Sequence, residues 1–247
     1  NNAIGRFYNA MGVELRQGYG LTETSPVISV NRENCNNPVT VGQPIPGLQI
    51  RLGDMEELQV KGPTVMKGYW KRPDATAEVF TEDGWFKTGD QADLSDAGRI
   101  RIKGRIKEII VTSTGEKIPP TDMELAIQTD PLFEQVMVVG EARPFITALA
   151  VVNEAEWEKF AKEFNVDPTD ERMLMRRDIR MAALKRLKKA ASRFPQYGIP
   201  RNIRLLKEHW TVDNGCLTVT MKLRRPIIRE KLRAEIDELY TVPQNNV

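Results

Sequence analysis

The densest concentration of reactive side chains is the run Gln17-Gly18-Tyr19-Gly20-Leu21-Thr22-Glu23-Thr24. Glycines on both sides of a tyrosine let the backbone approach a flat ligand while the ring offers a stacking face. Two threonine hydroxyls around a carboxylate suit a phosphate and its metal: the hydroxyls donate, and Glu23 can bind Mg²⁺ through oxygen. Taken alone, the run reads equally well as a glycine turn before a capped helix start. Further on, Gly84-Trp85-Phe86-Lys87-Thr88-Gly89-Asp90 sets an aspartate in a glycine turn, where it can accept both hydroxyls of a ribose. The run Gly98 to Lys107 then adds Arg105, able to make charge-assisted bonds to ribose or phosphate. In isolation Asp90 would be a turn residue and Arg105 a charge on a surface strand.

Composition removes other chemistries. The 247 residues contain one histidine, His209, which excludes metal sites built on several histidines and any catalytic histidine pair. Cys35 and Cys216 are too few for a disulfide framework and point to a reducing, cytoplasmic setting. Lys and Arg number 36 against 34 Asp and Glu, a balance that argues against a dedicated nucleic-acid binder. No apolar run approaches the roughly 20 residues that span a bilayer, and Asn1 to Gly12 lacks the pattern of a secretion signal.

These residues need a frame. Before residue 106, Leu48-Gln49-Ile50-Arg51-Leu52, Leu58-Gln59-Val60 and Ile100-Arg101-Ile102 alternate with period two between dense Gly and Pro. That predicts half-buried strands joined by turns, a small β-rich unit. After residue 106, Ile109 to Val111, Val136 to Val139 and Ala148 to Val152 read as buried strands. Thr121-Asp122-Met123-Glu124 reads as a capping box that starts a short helix carrying Leu125 and Ile127. Trp157, Phe160, Ala161 and Phe164 recur at helical spacing, as do Met173, Ile179, Ala183 and Leu187, and a last helix is expected from Ile227 to Leu239. The second half is therefore expected to be a compact α+β domain. Between Arg172 and Arg193 lie nine Lys or Arg and one acidic residue, Asp178. That stretch suits either a contact with phosphates or an anionic membrane surface or, better, the solvated face of an amphipathic helix.

In order and spacing, these segments resemble the adenylate-forming superfamily of acyl-CoA synthetases, luciferases and adenylation domains. The general signature is Gly18 to Thr24, Gly68-Tyr69-Trp70, Thr88-Gly89-Asp90 and Gly104-Arg105. Three further blocks resemble the bacterial long-chain fatty acid–CoA ligases: Arg105 to Ser113, Gly115 to Pro120 and Asn214 to Lys222. The resemblance implies an α/β (α+β) architecture, in which residues 1–106 are the β-rich tail of a large ATP- and acyl-binding domain and residues 107–247 a small lid. It also implies that Tyr19 stacks on adenine with Gly20 beside it, Thr22 touches the α-phosphate and Glu23 coordinates Mg²⁺. Asp90 would hold the ribose beside Arg105, Lys222 would be the catalytic lysine, Lys107 the hinge, and the Gly115 loop the pantetheine path.

The chemistry so implied joins a long-chain fatty acid to ATP as an acyl-adenylate, and coenzyme A then displaces AMP. A rotation about Lys107 would present Lys222 and the Gly115 loop in turn. The family's Ser/Thr/Gly-rich phosphate loop does not occur in the sequence, so a C-terminal fragment inactive by itself is expected. Two other readings stand beside this one. One is an adenylation domain that loads a carrier protein. The other is a non-catalytic nucleotide or anionic-surface module whose vesicle binding would depend on Lys185, Lys188 and Lys189, giving peripheral membrane association.

Overall fold

The computed structural model describes residues 2–241; Asn1 and residues 242–247, the outer ends of the two expected domains, lie outside the described residues. The chain is a mixed α+β protein that divides into two compact units, Asn1–Glu108 and Ile109–Val247.

The first unit is built on antiparallel pairing. The alternating segments form a four-stranded meander, Gln49–Leu52, Glu57–Lys61, Phe86–Asp96 and Arg99–Arg105, each strand antiparallel to the next. Its inward residues Leu58, Val60, Phe86, Ala92 and Ile100 join Ile28 and Leu48 in one buried cluster. A second sheet pairs Gly18–Tyr19 with Ser29–Val30 and that strand with Gln43–Pro44. Asp90 was expected in a turn, but it lies within the long strand Phe86–Asp96, opposite Arg105. The turn-like signal of Thr88-Gly89-Asp90 is a bulge: Gly89 has φ of 72°, and the register against Glu57–Lys61 shifts beside it.

The second unit packs helices on both faces of a three-stranded sheet. Strand Phe133–Val139 runs antiparallel to the central strand Thr147–Val152, which runs parallel to Asn202–Leu206. All six residues of the central strand are buried because both of its faces are covered. Ala148, Ala150 and Val152 face a cluster with Trp157, Phe160, Ile179, Ala183 and Leu187. Leu149 and Val151 face Trp210, Cys216, Leu217, Ile228, Ile236 and Leu239. Cys216 thus behaves as a small apolar residue. Asn153 caps helix Glu154–Glu163, its side chain accepting from Glu156 N–H. On the edge strand Phe133–Val139, Glu134 lies 3.2 Å from His209, whose carbonyl accepts from the Asn214 side-chain amide at 2.8 Å.

Two expectations are corrected here. No capping box forms at Thr121 and Glu124. Helix Pro120–Ile127 begins two residues earlier than a Thr121 cap would start it, on a proline whose fixed φ suits the first helical position, so Thr121 falls inside the first turn. Glu124 is buried and turned inward, and Leu125 is 38% exposed, leaving Met123 and Ile127 as the core residues. The last helix is also two helices, Arg225–Lys231 and Arg233–Thr241, broken at Leu232 (φ −108°, ψ 29°). The break turns Ile228 on one and Ile236 and Leu239 on the other onto the same cluster.

The basic stretch is an amphipathic helix, Arg177–Ala190, that buries Ile179, Ala183, Leu184 and Leu187. Arg186 on this helix pairs with Asp130, and Arg172 and Arg176, which precede it, pair with Asp170 and Asp178. The apolar side of this helix is packed on the core, and its cations Arg177, Lys185, Lys188 and Lys189 are exposed on the solvated face. Among the described residues, no helix is long and apolar enough to cross a membrane.

Candidate functional site

In the first unit the strand Gly18–Tyr19 runs directly into a short 3₁₀ turn, Thr22–Thr24. A Cβ on Gly20 would lie 1.7 Å from the Pro26 carbonyl oxygen, so its bare backbone is needed by the chain's own packing before any ligand. The two threonines part company. Thr24 is buried, its hydroxyl accepting from Leu21 N–H and donating to the Leu21 carbonyl, whereas Thr22 is exposed. The pair of phosphate-facing hydroxyls read from the sequence therefore reduces to Thr22.

Glu23, half-buried, is held from two directions. Its carbonyl accepts from Met66 N–H at 2.8 Å, and its Oε1 accepts from the Tyr69 hydroxyl at 2.9 Å. The motif Gly68-Tyr69-Trp70 thus contributes an orienting group to Glu23, a role the sequence did not assign. No group of three or more His, Cys, Asp or Glu able to hold a metal occurs among the described residues. A single carboxylate beside an exposed hydroxyl fits a Mg²⁺ ion that keeps its waters and takes further ligands from substrate phosphates.

Tyr19, Asp90 and Arg105 come together. The Tyr19 hydroxyl donates to Asp90 Oδ2, and Arg105 Nε lies 3.2 Å from Asp90 Oδ1. Asp90 is 4% exposed, with both oxygens engaged, so a ribose hydroxyl has to replace or share one of these partners. Arg105 keeps about half of its side-chain surface in solvent. Burial pushes the Tyr19 phenol well above the usual tyrosine range, and the Asp90 charge adds to the shift. Burial also raises Tyr69, with Glu23 second, and burial raises Tyr240. A tyrosine whose folded pKa exceeds the unfolded value, about 10, stabilises fully below that value and loses the contribution as pH rises through the folded one. Thermal midpoints should therefore fall above about pH 10, with a shallower slope in Tyr19→Phe. An unchanged slope in that variant would contradict the assignment.

The second unit carries its two candidate groups on separate hairpin tips. Gly115 sits at φ 84° between strands Ile110–Val111 and Lys117–Ile118, its N–H donating to the Thr112 carbonyl at 3.0 Å. Lys222 is exposed at the end of a tight turn closed by the Leu217–Leu223 bridge. Thr218 N–H donates to the Lys222 carbonyl at 2.9 Å, and Lys222 N–H donates to the Thr218 hydroxyl. Lys107 lies in the 3₁₀ turn Ile106–Glu108, at the edge of the first unit. A buried pair that sequence reasoning missed, Glu124 with Arg225, has its arginine three residues after Lys222. Its partners are 101 residues apart and leave no local signal.

Residues 107–243 match the C-terminal domain of AMP-binding enzymes, and residues 1–70 match the AMP-binding enzyme family itself. The chain belongs to the AMP-binding enzyme family. A long-chain-fatty-acid–CoA ligase of Mycobacterium bovis, FadD15, is 37% identical over 96% of this chain and 40% of its own length. A chloroplastic long-chain-fatty-acid–[acyl-carrier-protein] ligase of Arabidopsis thaliana is 33% identical over 96% of this chain and 34% of its own. Among solved structures, the A domain of a carboxylic acid reductase from Segniliparus rugosus, in complex with AMP and a co-purified carboxylic acid, superposes with a TM-score of 0.76. It shares 26% identity over 97% of this chain and 37% of that one. This AMP-binding enzyme chain thus spans about two-fifths or less of the length of the relatives it matches.

Proposed function

We propose that this sequence is the C-terminal part of an AMP-forming ligase that activates a long-chain fatty acid and transfers it to coenzyme A. In this reading the large domain ends at residue 106 and the lid begins at residue 107. The observation that supports it best is the Tyr19–Asp90–Arg105 cluster, whose Tyr19 lies three residues before the exposed Thr22 and four before the tethered Glu23. Tyr19 stacks on adenine beside the exposed Gly20 backbone, and Asp90 accepts the ribose hydroxyls while Arg105 holds its other oxygen. Thr22 donates to the α-phosphate. Glu23 offers Oε2 to Mg²⁺, since Tyr69 occupies Oε1; when bound, the ion neutralises phosphate charge.

In the first step a carboxylate oxygen bonds to the α-phosphorus, and the bond to pyrophosphate breaks with its electron pair. The Lys222 ammonium donates to the charge that develops there. A rotation about Lys107 then replaces the Lys222 turn with the Gly115 hairpin, which lines the pantetheine path. The thiol sulfur bonds to the acyl carbon, AMP leaves, and the thiol proton passes to solvent. An acyl-carrier protein as acceptor is the second reading, favoured by the Arabidopsis relative; competition between the two acceptors decides it.

In the full chain that contains this sequence, Lys222→Ala should slow adenylation on the order of a hundredfold, measured by ATP–pyrophosphate exchange. Thioester formation from preformed palmitoyl-adenylate should persist. Equal loss in both half-reactions would overturn the role of Lys222. Residues 1–247 by themselves, without a Ser/Thr/Gly-rich phosphate loop, should not convert palmitate, ATP and coenzyme A to product.

A further inference from the structure

We infer that Glu124 and Arg225 are positioning residues: their buried ion pair fixes the Lys222 turn to the helix that follows the Gly115 hairpin. The inference rests on the proposed role of Lys222. Arg225 Nη1 and Nη2 donate to Glu124 Oε1 and Oε2 at 2.6 and 2.7 Å, and the side chains are 15% and 7% exposed. Glu124 Oε1 also accepts from Val138 N–H at 2.8 Å. Strand Phe133–Val139 is an edge of its sheet, so this N–H is one that the neighbouring strand leaves unpaired. One carboxylate therefore joins a sheet edge, helix Pro120–Ile127 and the start of helix Arg225–Lys231.

The chain on either side makes that joint matter. Strand Lys117–Ile118, the returning arm of the Gly115 hairpin, is separated from helix Pro120–Ile127 by Pro119 alone. On the other side, Arg225 follows Leu223, the closing residue of the Lys222 turn, after one residue, Arg224. Arg224 N–H donates to the Cys216 carbonyl at 2.8 Å, which ties the base of the turn down. At no more than about 3.6 Å per residue, the Lys222 backbone is within about 11 Å of the Arg225 backbone, with little slack. An ion pair buried like this adds little net stability over apolar side chains of equal volume. A two-pronged guanidinium–carboxylate contact supplies orientation instead. Both functional hairpins are then carried on one frame and move as one body.

The test uses Arg225→Lys, which keeps the charge but loses the fork, and Glu124→Gln, which keeps the shape. In the full chain, each should lower kcat for adenylation tenfold or more, on the scale of small misplacements of catalytic groups. KM for ATP and thioester formation from preformed adenylate should stay near wild type. The thermal midpoint should fall more in Glu124→Gln, which leaves a buried guanidinium uncompensated, than in Arg225→Lys, which keeps the charge pair. Amide exchange of Thr218 should quicken on the order of tenfold, with amides of Thr147–Val152 unchanged; this arm also works on residues 1–247. Wild-type adenylation kcat in both variants, or exchange that quickens equally across the unit, would overturn the inference. Lys222→Ala run alongside separates the two failures. If that variant adenylates normally, the role of Lys222 is wrong, and Thr218 exchange still decides whether the pair holds the turn.

Discussion

Replacing Trp157 by alanine is expected to destabilise the C-terminal unit by about 3–5 kcal/mol. The side chain is 1% exposed, in the cluster that faces one side of the central strand, and its Nε1–H donates to the Pro168 carbonyl at 2.9 Å. Truncation opens a void between helix Glu154–Glu163 and the sheet and strands that carbonyl. Lys207 Nζ also donates to Pro168 O, which softens the second loss but not the first. Against a total of about 5–15 kcal/mol for an ordinary domain, the variant should populate unfolded unit under mild conditions. Trp157→Phe keeps most of the volume but loses the hydrogen bond and part of the buried ring, a cost of about 1–3 kcal/mol. Urea titration of both variants, followed by circular dichroism, checks the order; an alanine cost below that of phenylalanine would contradict the packing described.

The second large effect is expected at Gly42. Its φ is 82°, and a Cβ there would lie 2.1 Å from the carbonyl carbon and oxygen of Val30. Gly42 O also accepts from Ile100 N–H at 2.8 Å, joining the small sheet to the meander. Gly42→Ala combines left-handed strain of about 1–2 kcal/mol with backbone overlap of about 1–3 kcal/mol. The displaced strand is Ser29–Val30, the partner of Gly18–Tyr19, so Tyr19 should lose its place beside Asp90 as well. Gly98→Ala separates the two causes. Gly98 has φ of 74° and nothing within 4 Å of its Cβ position, so only the strain of about 1–2 kcal/mol should appear. Thermal midpoints of the two variants, measured together, test the difference; equal shifts would remove the overlap at Val30.

Where the sequence could be read and where it could not follows from the range of the forces. The strands around Leu58 and Ile100, the buried run Ala148 to Val152 and the helix of Trp157 and Phe160 were all legible, because burial on one face repeats locally. Three features escaped. Pro120 started its helix early, and local pattern could not weigh a proline against a capping threonine. Leu232 broke the last helix to bring two apolar stripes onto one cluster, a decision made by tertiary packing. Glu124 resembled a capping residue because its true partner, Arg225, is 101 residues away. In the candidate site, Tyr19, Glu23, Asp90 and Arg105 stood out by type and spacing. That Asp90 already holds Tyr19, and that Tyr69 holds Glu23, depends on strands crossing at long range.

The solitary imidazole has a use of its own. His209 sits at 3.2 Å from Glu134, and its carbonyl holds Asn214, whose Oδ1 in turn accepts from Thr211 and Cys216 N–H at the entrance to the Lys222 turn. In a proton spectrum that one ring gives an isolated signal, free of overlap from any other histidine. It is a built-in resonance probe, two hydrogen bonds from the lysine-bearing turn, and it needs no isotope label.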